Sequence, residues 1–352
     1  MLDKNDFKIA APQVHLSSST SRRMWLVSAC ALAPILQSAV GDGWASLLVA
    51  AVALASALTA ELILDRLCGS SSLRDGSAVA SAMILSLLMP NQINLFVPFV
   101  AAIFAVVVIK RSFGGLGANW LNPALGAWLF ARLSWPSLFK TALSVSSFLL
   151  EAAVTKGLSD PSGSPLAVLK IAGYQPSAGD GFFADWLNHT IFSSLGAELP
   201  AGYAGLLLSE YPGIIADRGL LALLIATIVL LASKSTRNFI PAVFLISFAL
   251  LVRLFGGLPY GASNANGDVL FSLFSGGTLA AAFLLASDPA TGPKSNAFAV
   301  IFAILMGSLS FVFRYIGSES YGALLAIAAL NALIPLARGL ERKLFYQKRR
   351  TL

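Results

Sequence analysis

Two glycine-rich stretches interrupt the apolar segments of this chain, Phe113-Gly-Gly-Leu-Gly-Ala-Asn-Trp-Leu-Asn-Pro123 and Ser275-Gly-Gly-Thr-Leu-Ala-Ala-Ala-Phe-Leu-Leu-Ala-Ser-Asp-Pro289. Inside a bilayer an unpaired backbone amide finds no water, so irregular backbone is tolerated there only when buried in protein or lining a cavity. One such break in each half of the chain points to a binding site within the membrane interior. Composition demands a membrane: hydrophobic residues make up 57% of the 352 and charged residues only 12%, about half the usual charged share of a soluble domain.

Apolar segments fall at 24–40, 44–64, 77–90, 95–109, 120–133, 217–232, 238–255, 269–287, 297–313 and 320–337. The shortest flank the glycine breaks, as half-helices or tilted helices around a site would. Ten spans alternating from a cytoplasmic N-terminus place 17 of the 24 basic residues on the cytoplasmic face, which satisfies the positive-inside rule with both termini cytoplasmic. That bias accounts for the net charge of +7 without nucleic acid. The expected fold is an all-α polytopic membrane protein of about ten transmembrane helices. The chain divides into an N-terminal segment 1–23, a five-helix repeat 24–133, an outer (periplasmic) loop 134–216, a second five-helix repeat 217–337 and a basic tail 338–352 beside anionic lipid. The tryptophans, mostly near span ends, are expected to anchor at the interface.

Ser77-Ala-Val-Ala-Ser-Ala-Met-Ile-Leu-Ser86 and Gly277-Thr-Leu-Ala-Ala-Ala-Phe-Leu-Leu-Ala286 match in size and polarity at an offset of 200 residues. An odd number of spans per half makes such repeats inverted.

Few residues carry chemistry. Asn119 and Asn122 stand at a glycine-rich turn ahead of Pro123, whose ring suits a first helical position. The amides of such a helix start favour an anionic or strongly polar group, and plain capping is the alternative reading. Asp288, after an apolar run, is open to three roles: receiving hydrogen bonds from a flavin, gating a cation, or capping the next helix with Thr291. Asp75 enters a first-half helix in the same manner. Thr278 suits a small-residue helix interface. Ser162 and Ser164, in the outer loop, have no adjoining histidine or lysine as a base, so hydrolase chemistry has no support. The two cysteines and two histidines form no metal-ligand spacing.

The run Gly114-Gly-Leu-Gly-Ala-Asn-Trp-Leu-Asn-Pro-Ala124, with Ser275-Gly-Gly-Thr278, Ser287-Asp-Pro-Ala-Thr291 and Arg74-Asp75-Gly-Ser-Ala78, resembles RnfD, the D subunit of the Rnf electron-transport complex. Related features occur in the B subunit of the sodium-pumping NADH:quinone oxidoreductase. The resemblance implies a ten-span, inverted-repeat component of an ion-translocating ferredoxin:NAD oxidoreductase in the bacterial cytoplasmic membrane, working with the Rnf A, B, C, E and G subunits. It implies FMN joined through phosphate to a threonine hydroxyl of the outer loop by a separate flavin transferase, and a second, non-covalent, riboflavin-like flavin in the bundle. Aligned on Pro165-Leu166, Ser164 takes the acceptor position, with Gly163 where alanine is usual and Pro161 at an earlier serine; Ser162 is the alternative acceptor. The bundle residues matched to cofactor binding are Gly114, Gly115, Asn119, Asn122, Thr278 and Asp288, with no catalytic residue and no metal ligand. The competing expectation from the residues alone is a channel or transporter for a small polar solute, since inverted repeats with midplane breaks also build that class.

Overall fold

The computed structural model describes residues 20–69, 72–115, 117–142, 213–233, 239–258, 267–317 and 319–347, with 186, 189, 190 and 207. The described residues are mainly helical. The first half contains α1 (Thr20–Asp42), α2 (Ala45–Cys68), α3 (Ser77–Leu87), α4 (Phe96–Phe104), which runs on as a π-helix (Ala105–Arg111), and α5 (Pro123–Ser134), followed by the short α6 (Pro136–Ala142). The second half contains α7 (Ile215–Arg218), α8 (Leu220–Ala232), α9 (Phe239–Phe255), α10 (Val269–Leu273), α11 (Thr278–Ala280) with a π-helical continuation (Ala281–Ala286), α12 (Asn296–Phe311) with another (Val312–Ile316), α13 (Gly322–Ala332) and α14 (Ile334–Gln347). Element starts recur about 200 residues apart: Ser77 with Thr278, Phe96 with Asn296, Pro123 with Gly322.

Local sequence explains many boundaries. Gly69, in the left-handed region, ends α2. Ser295 caps α12 by accepting the Phe298 amide, so the cap that the sequence offered to Asp288 with Thr291 belongs to Ser295. The expected 269–287 span is cut at Phe274–Gly277, because Gly276 and Gly277 both sit at φ +67. A Cβ at Gly276 would stand 2.3 Å from the Ser320 carbonyl oxygen, so both backbone sign and space require glycine. The expected 320–337 span likewise breaks: α14 leaves α13 at an angle of 52°.

Among the described residues, three helices are long and apolar enough to cross a bilayer, Thr20–Gly41, Ala45–Cys68 and Asn296–Ile316, and the bent pair α13–α14 passes the same test when taken together. Apolar side chains such as Ile63, Ile225, Ile228, Ile246, Leu250 and Ile301 are more than half exposed, the outward-facing belt of a membrane protein. Inside, α1 packs on α3 and crosses to α8, α9 runs along α12, and α5 meets α13, so one hydrophobic core unites both halves. Trp25, Trp44 and Trp186 are half exposed or more, in keeping with interfacial anchoring, whereas Trp128 is fully buried in that core.

Candidate functional site

Both halves contribute to one cavity of about 190 Å³. Its walls are the start of α1 (Thr20, Arg23, Met24, Val27), one face of α3 (Ser77, Ala80, Ser81, Ile84), Lys110, the glycine-rich turn (Gly117, Asn119, Asn122, Pro123) and the Phe283–Ala290 stretch of the second half. Asn122 joins the two halves. Its side-chain oxygen accepts the amides of Ala124 (3.0 Å) and Leu125 (3.4 Å), capping α5, and its side-chain NH2 donates to the Asp288 carboxylate at 2.9 Å. The other oxygen of that carboxylate accepts the Ala290 amide at 3.0 Å. Capping and site-building are thus one arrangement: the oxygen orders the helix start while the nitrogen holds the carboxylate. Asn119 is buried against the cavity, and its side-chain oxygen has no partner among the described residues. A buried acceptor left so costs about 1–3 kcal/mol, which a hydrogen-bond donor in the cavity would recover.

Behind the Lys110 wall lies an ion-pair network that the sequence reading missed. Glu61 is completely buried, and its carboxylate accepts from Lys110 at 2.8 Å and from Arg111 at 3.1 Å. Arg111 also pairs with Asp65, and Ser72 bonds both carboxylates. Asp65 further accepts the backbone amides of Ser72 (2.8 Å) and Leu73 (3.1 Å), tying the α2–α3 connection to the network. The signal was present as two acids one helical turn apart in an otherwise apolar run.

The second glycine break is held differently. Arg314, buried in the π-helix after α12, donates to the carbonyls of Ser272 (2.7 Å) and Ser275 (3.0 Å) and to the hydroxyls of Thr278 (3.1 Å) and Ser275. From α7, Asp217 accepts the Gly277 amide at 2.7 Å. Nearby, Arg132 of α5 pairs with Glu319 at 2.6 Å, a further link between halves. A broken helix exposes carbonyls and amides, and here a guanidinium and a carboxylate satisfy them.

The whole chain can then be placed among known proteins. The model of the NQR2, RnfD, RnfE family matches residues 8–346. The chain belongs to this family. Among its relatives, the D subunit of the ion-translocating oxidoreductase complex of Shewanella amazonensis is 31% identical over 343 residues, covering 94% of this chain and 95% of the relative. The protein of the same name from Escherichia fergusonii is 30% identical over 360 residues, covering 98% and 99%. The D subunit of the proton-translocating ferredoxin:NAD(+) oxidoreductase complex of Clostridium ljungdahlii is 26% identical over 337 residues, covering 95% and 94%.

For this family member, the structure brings Asn119, Asn122 and Asp288 together at the cavity. It does not bring Thr278 there; that hydroxyl is engaged by Ser272, Ser275 and Arg314. Gly114 (φ +98) and Gly115 (φ +88) turn the chain after the first π-helix without lining the cavity, and Gly117 lines it in their place. Asp75 accepts the Ser77 amide at 2.8 Å and so orders the entry to α3. Ser162 and Ser164 lie outside the described residues.

Proposed function

We propose that this chain is the D subunit of an ion-translocating ferredoxin:NAD(+) oxidoreductase complex and that its cavity holds a non-covalent, riboflavin-like flavin. Near end-to-end likeness to relatives bearing that name supports the complex. The observation that carries the flavin reading is the meeting of Asn119, Asn122 and Asp288, drawn from both halves, around one cavity.

The lining suits such a guest. The Asn119 oxygen, without a partner among the described residues, is an acceptor suited to an N–H donor such as an isoalloxazine imide. Asp288 keeps Asn122 in one orientation, so the polar rim needs no reorganisation on binding. Lys110, held by Glu61 at 2.8 Å, fixes the position of that part of the wall. Phe283, Leu284, Ile84 and Val27 provide the apolar remainder. When bound, the flavin supplies electron-transfer chemistry, while the protein places and tunes it.

On the same reading, Ser164 carries FMN through a phosphoester, with Ser162 as the alternative acceptor; a flavin transferase makes the bond. The two halves are an inverted duplication of five spans each, a reading supported by the recurring element starts. Both termini are cytoplasmic, the 134–216 loop is periplasmic, and the partners are the Rnf A, B, C, E and G subunits.

Mass spectrometry of the protein purified from its own host tests the covalent part. One FMN increment on the peptide containing Ser162 and Ser164 is expected; an unmodified peptide withdraws that attachment. Membership of the complex is tested by deleting the gene: membranes should lose ferredoxin:NAD(+) reduction and regain it on complementation. Unchanged activity overturns the proposal.

A further inference from the structure

The C-terminal helix carries a surface that neither the cavity nor the ion-pair networks use. α14 turns 52° away from α13 at Leu333, and between positions 338 and 343 it holds Arg338, Glu341, Arg342 and Lys343. So many charges within about a turn and a half bar that stretch from the hydrocarbon core.

Its faces differ sharply. One is locked to the protein: Ile334 is fully buried, the Glu341 carboxylate accepts the amides of Lys294 (3.1 Å) and Ser295, and the Arg338 guanidinium donates to the carbonyls of Ala290 (2.6 Å) and Gly292 (3.1 Å). The neighbouring face shows Leu336, Leu340 and Leu344 at 67%, 57% and 61% exposure. A spacing of four residues keeps these leucines in one stripe. Lys343 flanks the stripe, and Arg342 stands further round, both exposed.

We propose that α14 is an in-plane membrane-surface helix, with the Leu336/Leu340/Leu344 stripe seated among lipid acyl chains and Arg342 and Lys343 on anionic lipid headgroups. Charge decides the occupant. An apolar stripe edged by two cations beside an apolar bundle matches the boundary of an anionic bilayer, where such helices lie with the apolar face just below the headgroups. The bend at Leu333 delivers the helix from span direction to surface direction. The inner face then has a consequence for the cavity: by clasping residues 290–295, which follow Asp288, α14 ties the cavity rim to the lipid surface.

The test uses the full chain in its complex, in nanodiscs of phosphatidylcholine alone or with a large fraction of phosphatidylglycerol. A nitroxide is placed at Leu340→Cys in a Cys68→Ser background, since Cys68 is exposed while Cys30 is buried. Collisions with a water-soluble nickel chelate should fall, and collisions with oxygen should rise, when phosphatidylglycerol is present. Each basic residue is worth about fivefold in partitioning onto anionic lipid, so Arg342→Glu with Lys343→Glu should remove the lipid dependence. Both substitutions lie on the exposed surface, so the fold and the other subunits should be retained, as checked by size-exclusion chromatography. Equal water access in the two lipids overturns the proposal. So does protection of the label that persists in both lipids and disappears when the other subunits are stripped away, which would assign the stripe to a protein partner.

Discussion

Asn122 performs two tasks with one amide, and substitutions separate them. Asn122→Ala removes the α5 cap, worth about 1 kcal/mol, and a hydrogen bond to a carboxylate, worth about 1.5–3 kcal/mol, so it should destabilise the protein by roughly 3 kcal/mol. Asn122→Asp keeps the capping acceptor and even suits the helix dipole. Yet it sets a second carboxylate where an N–H now lies 2.9 Å from Asp288. At an effective dielectric near 20 the repulsion approaches ~6 kcal/mol; protonation of one carboxyl holds the measured loss below that ceiling. The swap Asn122→Asp with Asp288→Asn reverses donor and acceptor and keeps one charge, so it should recover most of the loss from Asn122→Asp. Unfolding by SDS in bicelles, followed by tryptophan fluorescence, measures all three variants against the parent. A swap as unstable as Asn122→Asp alone would refute the bridge between halves.

Lys110→Met, by breaking a fully buried pair, should cost about 3 kcal/mol, and adding Glu61→Gln should return much of it; losses that add within about 0.5 kcal/mol in the same unfolding assay would remove the coupling. A side chain at Gly307 meets the Phe244 carbonyl at 2.8 Å and the Phe248 amide at 2.9 Å, so Gly307→Val should force α9 and α12 apart and cost at least about 2 kcal/mol; an unchanged unfolding midpoint contradicts that packing. Arg314→Lys keeps the charge but loses the planar fork that serves four acceptors, so limited proteolysis should open the chain near Ser275, and a digestion pattern identical to the parent's would count against the assignment. At Glu341, burial works against the ionised carboxyl, but the Ser295 hydroxyl, the Ser295 and Lys294 amides and the Arg338 charge outweigh it and hold the group below the usual carboxylate range. Its contribution is therefore complete above the ordinary pKa of about 4.3 and is lost as pH falls through the lowered value. Amide exchange at Lys294 and Ser295, corrected for intrinsic rate, should accelerate on acidification, whereas in Glu341→Gln that additional acid step should vanish.

Helix positions were legible because a bilayer forces each apolar run to close its own backbone hydrogen bonds; α3, α5, α9 and α12 begin within three residues of the expected segments. Asn122 and Asp288 were legible because glycine, proline and a carboxylate punctuate runs that otherwise hold neither turn formers nor charge. Their direct contact was not, since it spans 166 residues. The same distance problem hid the pairing of Glu61 with Lys110, 49 residues apart, and the hold of Arg314 on the second glycine break. Thr278 was drawn toward the cofactor by motif proximity, yet the φ of +67 at Gly276 and Gly277 turns the chain so that its hydroxyl meets Arg314 instead. The α13–α14 bend left no mark in hydropathy, because Leu333 is as apolar as its neighbours; Pro335, early in α14, is its mark in the sequence.

A flavin in the cavity between the halves is tested most simply at Asn119. Flavin released by acid denaturation should be quantified from the intact complex carrying the parent chain and from one carrying Asn119→Leu, which removes the waiting acceptor from the cavity wall. A flavin in the cavity predicts non-covalent flavin from the parent and a marked loss in the variant, with covalently attached flavin and the content of the other subunits unchanged. Equal release from both complexes would contradict it.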